Sequence, residues 1–245
     1  MRDPRAGRCG LSDHIRIALV DDQELFRAGV AVIIDAQPDM EVVASVGSGA
    51  EAIVVADDLA PDIVLMDIRM PGIDGVDATR QIYSQDRVAQ RTTDVRVIVL
   101  TTFNLDDRAA EAIRLGASGF LLKDVTPKLL LESIRTVYRG SAILAPQEIG
   151  TLFARTPGGR RAKLPPAYNE LTAQQFEVLR AVARGRSNAE IAAELFLGVS
   201  TVKTHVGAVL RKLGLRDRVQ IVVFAYEHGL VDVDDTAGAG TVPGS

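Results

Sequence analysis

"IVLMDIRMPGIDG", residues 63–75, decides how the rest of the chain is to be read. Four apolar residues, Ile63 to Met66, deliver a lone carboxylate at Asp67, and the chain then turns through Pro71, Gly72 and Gly75. The run is too short for a helix and reads as a buried strand. Strands of this kind belong to parallel sheets with both faces covered. In open sheets of that class, binding and chemistry gather just past the carboxyl ends of the strands, which is where Asp67 stands. On this segment alone two readings of Asp67 remain: a working group, or an Asp that caps the following turn.

Around this stretch, strand-like and helical segments alternate. "IRIALV" (15–20), "EVVAS" (41–45), "IVLM" (63–66), "RVIVLT" (96–101) and "GFLL" (119–122) read as five short strands. Helical stretches lie near 23–36, 48–59, 76–84, 106–115 and 127–139. The order is (βα)5, and right-handed crossovers make it an α/β, doubly wound parallel sheet with helices on both faces. Residues 141–168, with "TPGGRR" and "PP", read as a linker too rich in Gly and Pro for an internal helix or strand. From Leu171 the pattern is purely helical, in four short helices with Gly185, Gly198, Gly214 and Gly229 as the residues that close them. Thr172 and Gln175 have the spacing of a capping box. The expected organisation is an extension over 1–14, an α/β domain over 15–140, a linker over 141–168, an all-α domain over 169–231 and a disordered tail over 232–245.

Composition narrows the function classes. No tract of 18 or more apolar residues occurs, which excludes a membrane-spanning helix. Arg2, Arg5 and Arg8 are not followed by the apolar region of a signal peptide. A single cysteine, Cys9, excludes an intrachain disulfide and fits a reducing cytoplasm. With only Cys9, His14, His205 and His228 as soft or imidazole donors, a zinc site is not expected. The net charge of −4 hides an asymmetry: residues 15–140 carry 13 Lys/Arg against 20 Asp/Glu, and residues 141–233 carry 12 against 8. Opposite signs in the two halves suggest two jobs.

Asp21 and Asp22 end the first strand and Asp67 ends the third, so in a doubly wound sheet three carboxylates converge in one cleft. Like charges that close are costly unless a cation holds them. Oxygen donors in a small open cleft favour Mg²⁺ with several waters retained. Thr101 ends the fourth strand and Lys123 the fifth, which adds a hydroxyl and an ammonium to the same rim. An Asp nucleophile beside Mg²⁺ and a Lys is a phosphoryl-acceptor arrangement. Each residue alone has a duller role, as a helix cap, a strand-end Thr or a surface pair of Lys123 with Asp124.

"LVDDQELFRAGV", "LMDIRMPGIDG", "VLTTF" and "GASGFLLKD" closely resemble the receiver domain of bacterial response regulators, over roughly residues 15–140. The resemblance implies that Asp67 takes a phosphoryl group from a sensor histidine kinase. It implies Mg²⁺ on Asp22 and Asp67, with Asp21 acting mainly through water and Arg69 giving its backbone carbonyl. Thr101 would hydrogen-bond the phosphoryl group, Lys123 would pair with it, and Phe120 would be the aromatic that reorients. Two departures are Asp124, where many receivers have proline, and the stretch 83–95 between the third helix and the fourth strand, which is longer than usual by a few residues. A competing signal is "GSGAEA" (47–52), which matches G-x-G-x-x-A. That fingerprint belongs to the first βα turn and here falls in the second, and Asp67 is followed by a loop rather than a ribose-binding strand end. A second Asp two residues after the nucleophile, which an aspartyl phosphatase would want, is replaced by Arg69.

In "STVKTHVGAVLRKL", Val202, Val206, Val209 and Leu213 make one apolar stripe. The opposite face shows Ser200, Thr204, Gly207 and Arg211, with Lys203 on its flank. A preceding short helix and a glycine turn fit a helix-turn-helix reader. Lys203, Arg211, Lys212, Arg216 and Arg218 against Asp217 give a local excess of cations for phosphate contacts. A helical bundle with a solvated basic face fits the same pattern. The segment "SNAEIA…TVKTHV…KLGLRDRVQ" resembles the LuxR-type DNA-binding domain over roughly 169–231. This implies that Lys203 and Thr204 face the major groove, that Thr201 and His205 lie near the backbone, and that a last helix at about 217–227 supplies dimer contacts. Gln174 and Gln175 depart from a common Arg-Glu pair, and Gly198 and Val199 from a common Ser-Glu. Gly207 offers no side chain where relatives can contact bases.

Together these features are identified with the NarL/FixJ type of two-component response regulator. Its expected partners are a sensor histidine kinase, promoter DNA, a second copy of itself and, further, RNA polymerase. The expected location is cytoplasmic, and the expected catalysis is limited to its own phosphoryl transfer and hydrolysis at Asp67. A receiver-like protein that binds a ligand or protein partner instead of a phosphoryl group is the alternative.

Overall fold

The computed structural model describes residues 14–91, 93–102, 107–139 and 163–231. Residues 1–13, most of the linker and the tail from 232 lie outside the described residues. The chain divides into two compact units, residues 1–104 with 119–139 and residues 105–118 with 140–245.

The first unit is built on a five-stranded parallel sheet of order β2-β1-β3-β4-β5. Its strands are β1 (Ile15–Val20), β2 (Met40–Val46), β3 (Ile63–Asp67), β4 (Arg96–Thr101) and β5 (Gly119–Leu122). β3 lies at the centre and is buried at every position, as its unbroken apolar run requires of a strand covered on both faces. From β1 the chain steps to β2 on one side, then returns to lay β3 on the other. That reversal opens a crevice at the carboxyl ends of β1 and β3. The register pairs Val20 with Met66 and Asp67 with Leu100, so the strand ends finish level with one another.

The helices are α1 (Glu24–Asp35), α2 (Gly49–Asp58), α3 (Gly75–Ile82), α4 (Gln85–Gln90), α5 (Asp107–Arg114) and α6 (Pro127–Tyr138). Side-chain caps fix several of their starts: Ser48 accepts from the Glu51 N–H, Asp74 from Val76 and Asp77, and Thr126 from Leu129. The stretch 83–95 contains a helix of its own, α4, with no buried residue. Asp57 of α2 holds it by ion pairs to Arg87 and Arg91. Arg91 also donates to the Ile82 carbonyl at 2.7 Å.

The second unit starts with a 3-10 turn over Pro166–Glu170 and continues as α7 (Ala173–Ala183), α8 (Asn188–Glu194), α9 (Val199–Leu213) and α10 (Arg218–Glu227). Its apolar core gathers Val178, Leu179, Val182, Ile191, Val202, Val209 and Ile221. α5 belongs to this unit: Ala110 and Ile113 join the same core, and Gln220 donates to the Ile113 carbonyl at 2.7 Å. Both α7 and α8 open with reciprocal capping boxes, Thr172 with Gln175 and Ser187 with Glu190.

Two sequence expectations change here. The end of the linker is helical after all, because proline fits the first positions of a 3-10 turn, where no N–H is needed. Gly185, Gly214 and Gly229 do take the left-handed conformation that ends a helix, but Gly198 does not. It is the N-cap of α9, with φ −75°, and Phe196 takes the left-handed position with φ 53°.

Candidate phosphoacceptor site and DNA-reading face

Because β1 and β3 are neighbours, the residues that leave them meet. Asp21, Asp22 and Asp67 each place a carboxylate oxygen within 4.8 Å of the others. Lys123, just past β5, reaches Asp21 Oδ2 at 2.6 Å and Asp67 Oδ2 at 3.0 Å. Asp21, Asp67 and Lys123 are nearly buried, whereas Asp22 is exposed at the mouth. Backbone groups hold the two inner carboxylates: the Gln23 N–H donates to Asp21 Oδ1 at 2.9 Å, and the Arg69 N–H to Asp67 Oδ1 at 3.3 Å. Thr101 is buried at the end of β4, and its carbonyl accepts from the Lys123 N–H at 2.8 Å, which ties the lysine's backbone to that strand end. Phe120 is a buried residue of β5.

Charge is not balanced within this cluster. Three carboxylates face one ammonium, and the buried Asp21 Oδ2 meets the Lys123 ammonium at 2.6 Å. Such an oxygen set suits a hard divalent cation. Burial pushes the Asp67 carboxyl above its ordinary value, against the opposing pull of Lys123. For Lys123, burial would lower the value, but hydrogen bonds and attraction from Asp21 and Asp67 outweigh it and hold the ammonium above its usual range. The cluster is thus an ionised carboxylate kept costly and a cation kept charged, side by side.

In the helical unit, α9 buries Val202 and Val209 in the core, with Val206 and Leu213 packed against it. Ser200, Thr201, Lys203, Thr204, Gly207 and Arg211 are exposed, and His205 is half-buried. Lys203 and Arg211 make no ion pair or hydrogen bond among the described residues. The Thr204 hydroxyl donates back to the Ser200 carbonyl at 3.1 Å. The remaining cations of the expected basic face are engaged elsewhere. Lys212 donates to the Glu170 carbonyl and to Gln175 Oε1, at 2.6 and 2.9 Å. Arg216 donates to the Leu115 carbonyl, and Arg218 to Asn188 and to the Arg186 carbonyl.

Comparison with known proteins bears on both sites. Residues 17–135 match the family of response regulator receiver domains, and residues 169–225 match the luxR family of bacterial regulatory proteins. The transcriptional regulatory protein LiaR of Bacillus subtilis is 37% identical over 218 residues, covering 89% of this chain and 100% of LiaR. The chain is a two-component response regulator. The response regulator VraR of Staphylococcus aureus is 36% identical over 217 residues, covering 89% of the regulator and 99% of VraR. A crystal structure of a LuxR-family response regulator from Aurantimonas sp. aligns with 56% of the regulator and 96% of that chain, at 33% identity and a TM-score of 0.50.

The regulator therefore joins a receiver to a LuxR-type DNA-binding domain and acts on transcription. A kinase and DNA are its partners in kind, and no helix among the described residues is long and apolar enough to cross a membrane. The "GSGAEA" segment has a structural role: a Cβ on Gly49 would fall 2.3 Å from the Ile73 carbonyl oxygen. Glu51 folds back so that Oε2 accepts from the Gly47 N–H and the Ser48 hydroxyl.

Two residues beside the receiver site, Arg27 and Phe26, were given no role in the reading of the sequence, and a third, Gly75, was read only as part of the turn. Arg27 of α1 donates to the Asp21 carbonyl and to Ser45 Oγ, so it braces the turn that carries both aspartates. No periodicity marks it, because Asp21 and Asp22 precede α1 and Ser45 lies on another strand. Phe26 places its ring 5.0 Å from the Lys123 ammonium. Gly75 lies against the end of β3: a Cβ there would sit 1.9 Å from the Asp67 carbonyl oxygen.

Proposed function

We propose that Asp67 is the residue phosphorylated by the sensor histidine kinase, and that this modification controls how the LuxR-type domain engages promoter DNA. What supports the reading is the meeting of Asp21, Asp22 and Asp67 within 4.8 Å, with the Lys123 ammonium on two of them. A carboxylate oxygen of Asp67 attacks phosphorus, the bond from phosphorus to the kinase histidine nitrogen breaks, and the leaving imidazole takes up a proton. Asp22, Asp67 and the Arg69 carbonyl would hold Mg²⁺, with Asp21 acting through water; when bound, the ion neutralises charge on the phosphoryl oxygens. Lys123 then leaves Asp21 and Asp67 to pair with the new phosphoryl group, and Thr101 gives it a hydrogen bond. Phe120 reorients, which biases a two-state equilibrium. Hydrolysis at Asp67 resets the receiver and completes the only chemistry the protein performs.

On DNA, Lys203 and Thr204 of α9 read the major groove, while Thr201, His205 and Arg211 lie toward the backbone. Two copies act together on half-sites about one helical turn apart, with α10 supplying dimer contacts, because a single module this small covers little DNA. RNA polymerase is the further partner that acting on transcription calls for, and the cytoplasm is where all these partners meet.

The test is Mg²⁺-dependent uptake of label from acetyl phosphate. Asp67→Asn should abolish uptake with the circular dichroism spectrum unchanged, since the amide is isosteric but cannot attack phosphorus. Labelling of the variant at the parent level would overturn the assignment.

A further inference from the structure

Glycine weakens the interior of a helix relative to alanine, so an internal helical glycine calls for a reason. Several glycines of the regulator have one within the chain, although Gly29 in α1, exposed and with nothing within 4 Å of an added Cβ, does not. Gly75 and Gly49 are pressed against backbone carbonyls, and Gly214 has φ +66°. Gly207 has none of these. It sits in the middle of the 15-residue α9, is exposed, and a Cβ added to it would meet nothing within 4 Å.

Its surroundings on the helix are particular. Lys203 lies four residues before it and Arg211 four residues after, both exposed and both without an ion-pair partner among the described residues. The two cations therefore flank, about one helical turn away on either side, a point of the exposed face where no side chain stands. Gly29, by contrast, has Leu25 and Ile33 at the same spacing and no cation.

We propose that Gly207 is the point of closest approach between α9 and DNA: its missing side chain lets the helix backbone come into van der Waals contact with a base-pair edge on the groove floor. The role rests on α9 being the reading helix, as proposed above. Gly207 is then a specificity-determining residue through shape, because a side chain at that point holds the whole helix off the bases that Lys203 and Thr204 reach. Glycine's cost to the helix in the free protein is offset only in the complex.

The experiment uses the full-length chain and a labelled duplex selected by the parent protein from a random-sequence library. Gly207→Ala should raise the thermal midpoint of the helical unit by a few degrees. The same variant should bind the selected duplex at least about fivefold more weakly, the low end of what losing one good base contact costs. Gly207→Leu should weaken it further, with binding to mixed-sequence DNA less affected in both. Parent-like or tighter binding of the selected duplex by Gly207→Ala overturns the inference, as does a lowered midpoint, which would mean that packing within the chain requires the glycine. Lys203→Ala keeps the two levels apart. If it weakens binding while Gly207→Ala does not, α9 remains the reading helix and only the close approach is lost. If Lys203→Ala leaves binding unchanged, the reading helix itself is misassigned.

Discussion

The receiver's acidic site and the exposed face of α9 are built on opposite terms. In the first, Asp21, Asp67 and Lys123 are nearly buried and held against one another at three strand ends. In the second, Lys203 and Arg211 project into solvent and pair with nothing among the described residues. The difference follows from what each must meet. Phosphoryl chemistry needs charges fixed in advance in a place with little water, and the fold carries the cost of bringing like charges together. A polyanion brings its own charge, so the cations waiting for it need no partner in the free protein. A site of the first kind is coupled to stability, and one of the second kind is nearly free of it.

The strongest way to break this contrast is Lys123→Met. It leaves two nearly buried carboxylates without their cation and should cost about 3 kcal/mol of receiver stability. Urea unfolding in EDTA reads the loss, and millimolar Mg²⁺ should restore part of it by supplying another cation. A variant as stable as the parent in EDTA would mean that the ammonium does not balance the cluster.

Lys203→Ala tests the other half. It should change unfolding free energy by less than about 0.5 kcal/mol, as an exposed, unpaired side chain does. Operator binding should weaken by about 1–3 kcal/mol if the lysine reads a base, with relaxed preference at one position per half-site. If it touches only phosphate, all sequences should weaken alike and the salt slope should fall by about one. A clear loss of stability would place Lys203 in the fold rather than on the reading face.

The smallest expected effect is a pH dependence in the metal-free receiver. The Asp67 carboxyl stands above its ordinary value of 3.8, chiefly through burial. Its ionised form therefore works against folding at neutral pH. That penalty should lift as pH falls through the raised folded-state value, and it is gone below 3.8, where folded and unfolded chains are both protonated. Carbon NMR of the Asp67 carboxyl gives the midpoint, and a value at or below 3.8 contradicts the effect.

How much of this was legible in the sequence divides along similar lines. The sheet could be read because a strand buried on both faces leaves an unbroken apolar run, as in Ile63 to Met66, and because the ends of β1, β3, β4 and β5 each carried a polar residue of the right type. The convergence of Asp21, Asp22 and Asp67 then followed from topology. Helix α4 could not be read, because its six residues bury nothing; it is held by Asp57, nearly thirty residues earlier, and ion pairs between distant elements leave no periodic trace. The turn before α9 was misread because glycine is the usual left-handed residue, while here the exposed Phe196 takes that conformation, the Leu197 N–H closes α8 on the Ala192 carbonyl, and Gly198 is left to cap α9. Counting cations overstated the basic face. Charge does not reveal where a long side chain is spent, and Lys212, Arg216 and Arg218 are spent on carbonyls and amides of the fold.

Gly75 shows how little separates a working receiver from a silent one. The atom it lacks would sit 1.9 Å from the Asp67 carbonyl oxygen and 3.0 Å from the Ile68 Cα, both backbone atoms with no side-chain freedom to yield. A lineage that gained one methyl group at this position would keep every aspartate, the threonine and the lysine, yet the loop that presents Asp67 would have to move. Its descendants would look intact in any inventory of acidic residues while Asp67 no longer stood where it stands here. For this fold, inheritance of the signal depends as much on an absent carbon as on the groups that carry charge.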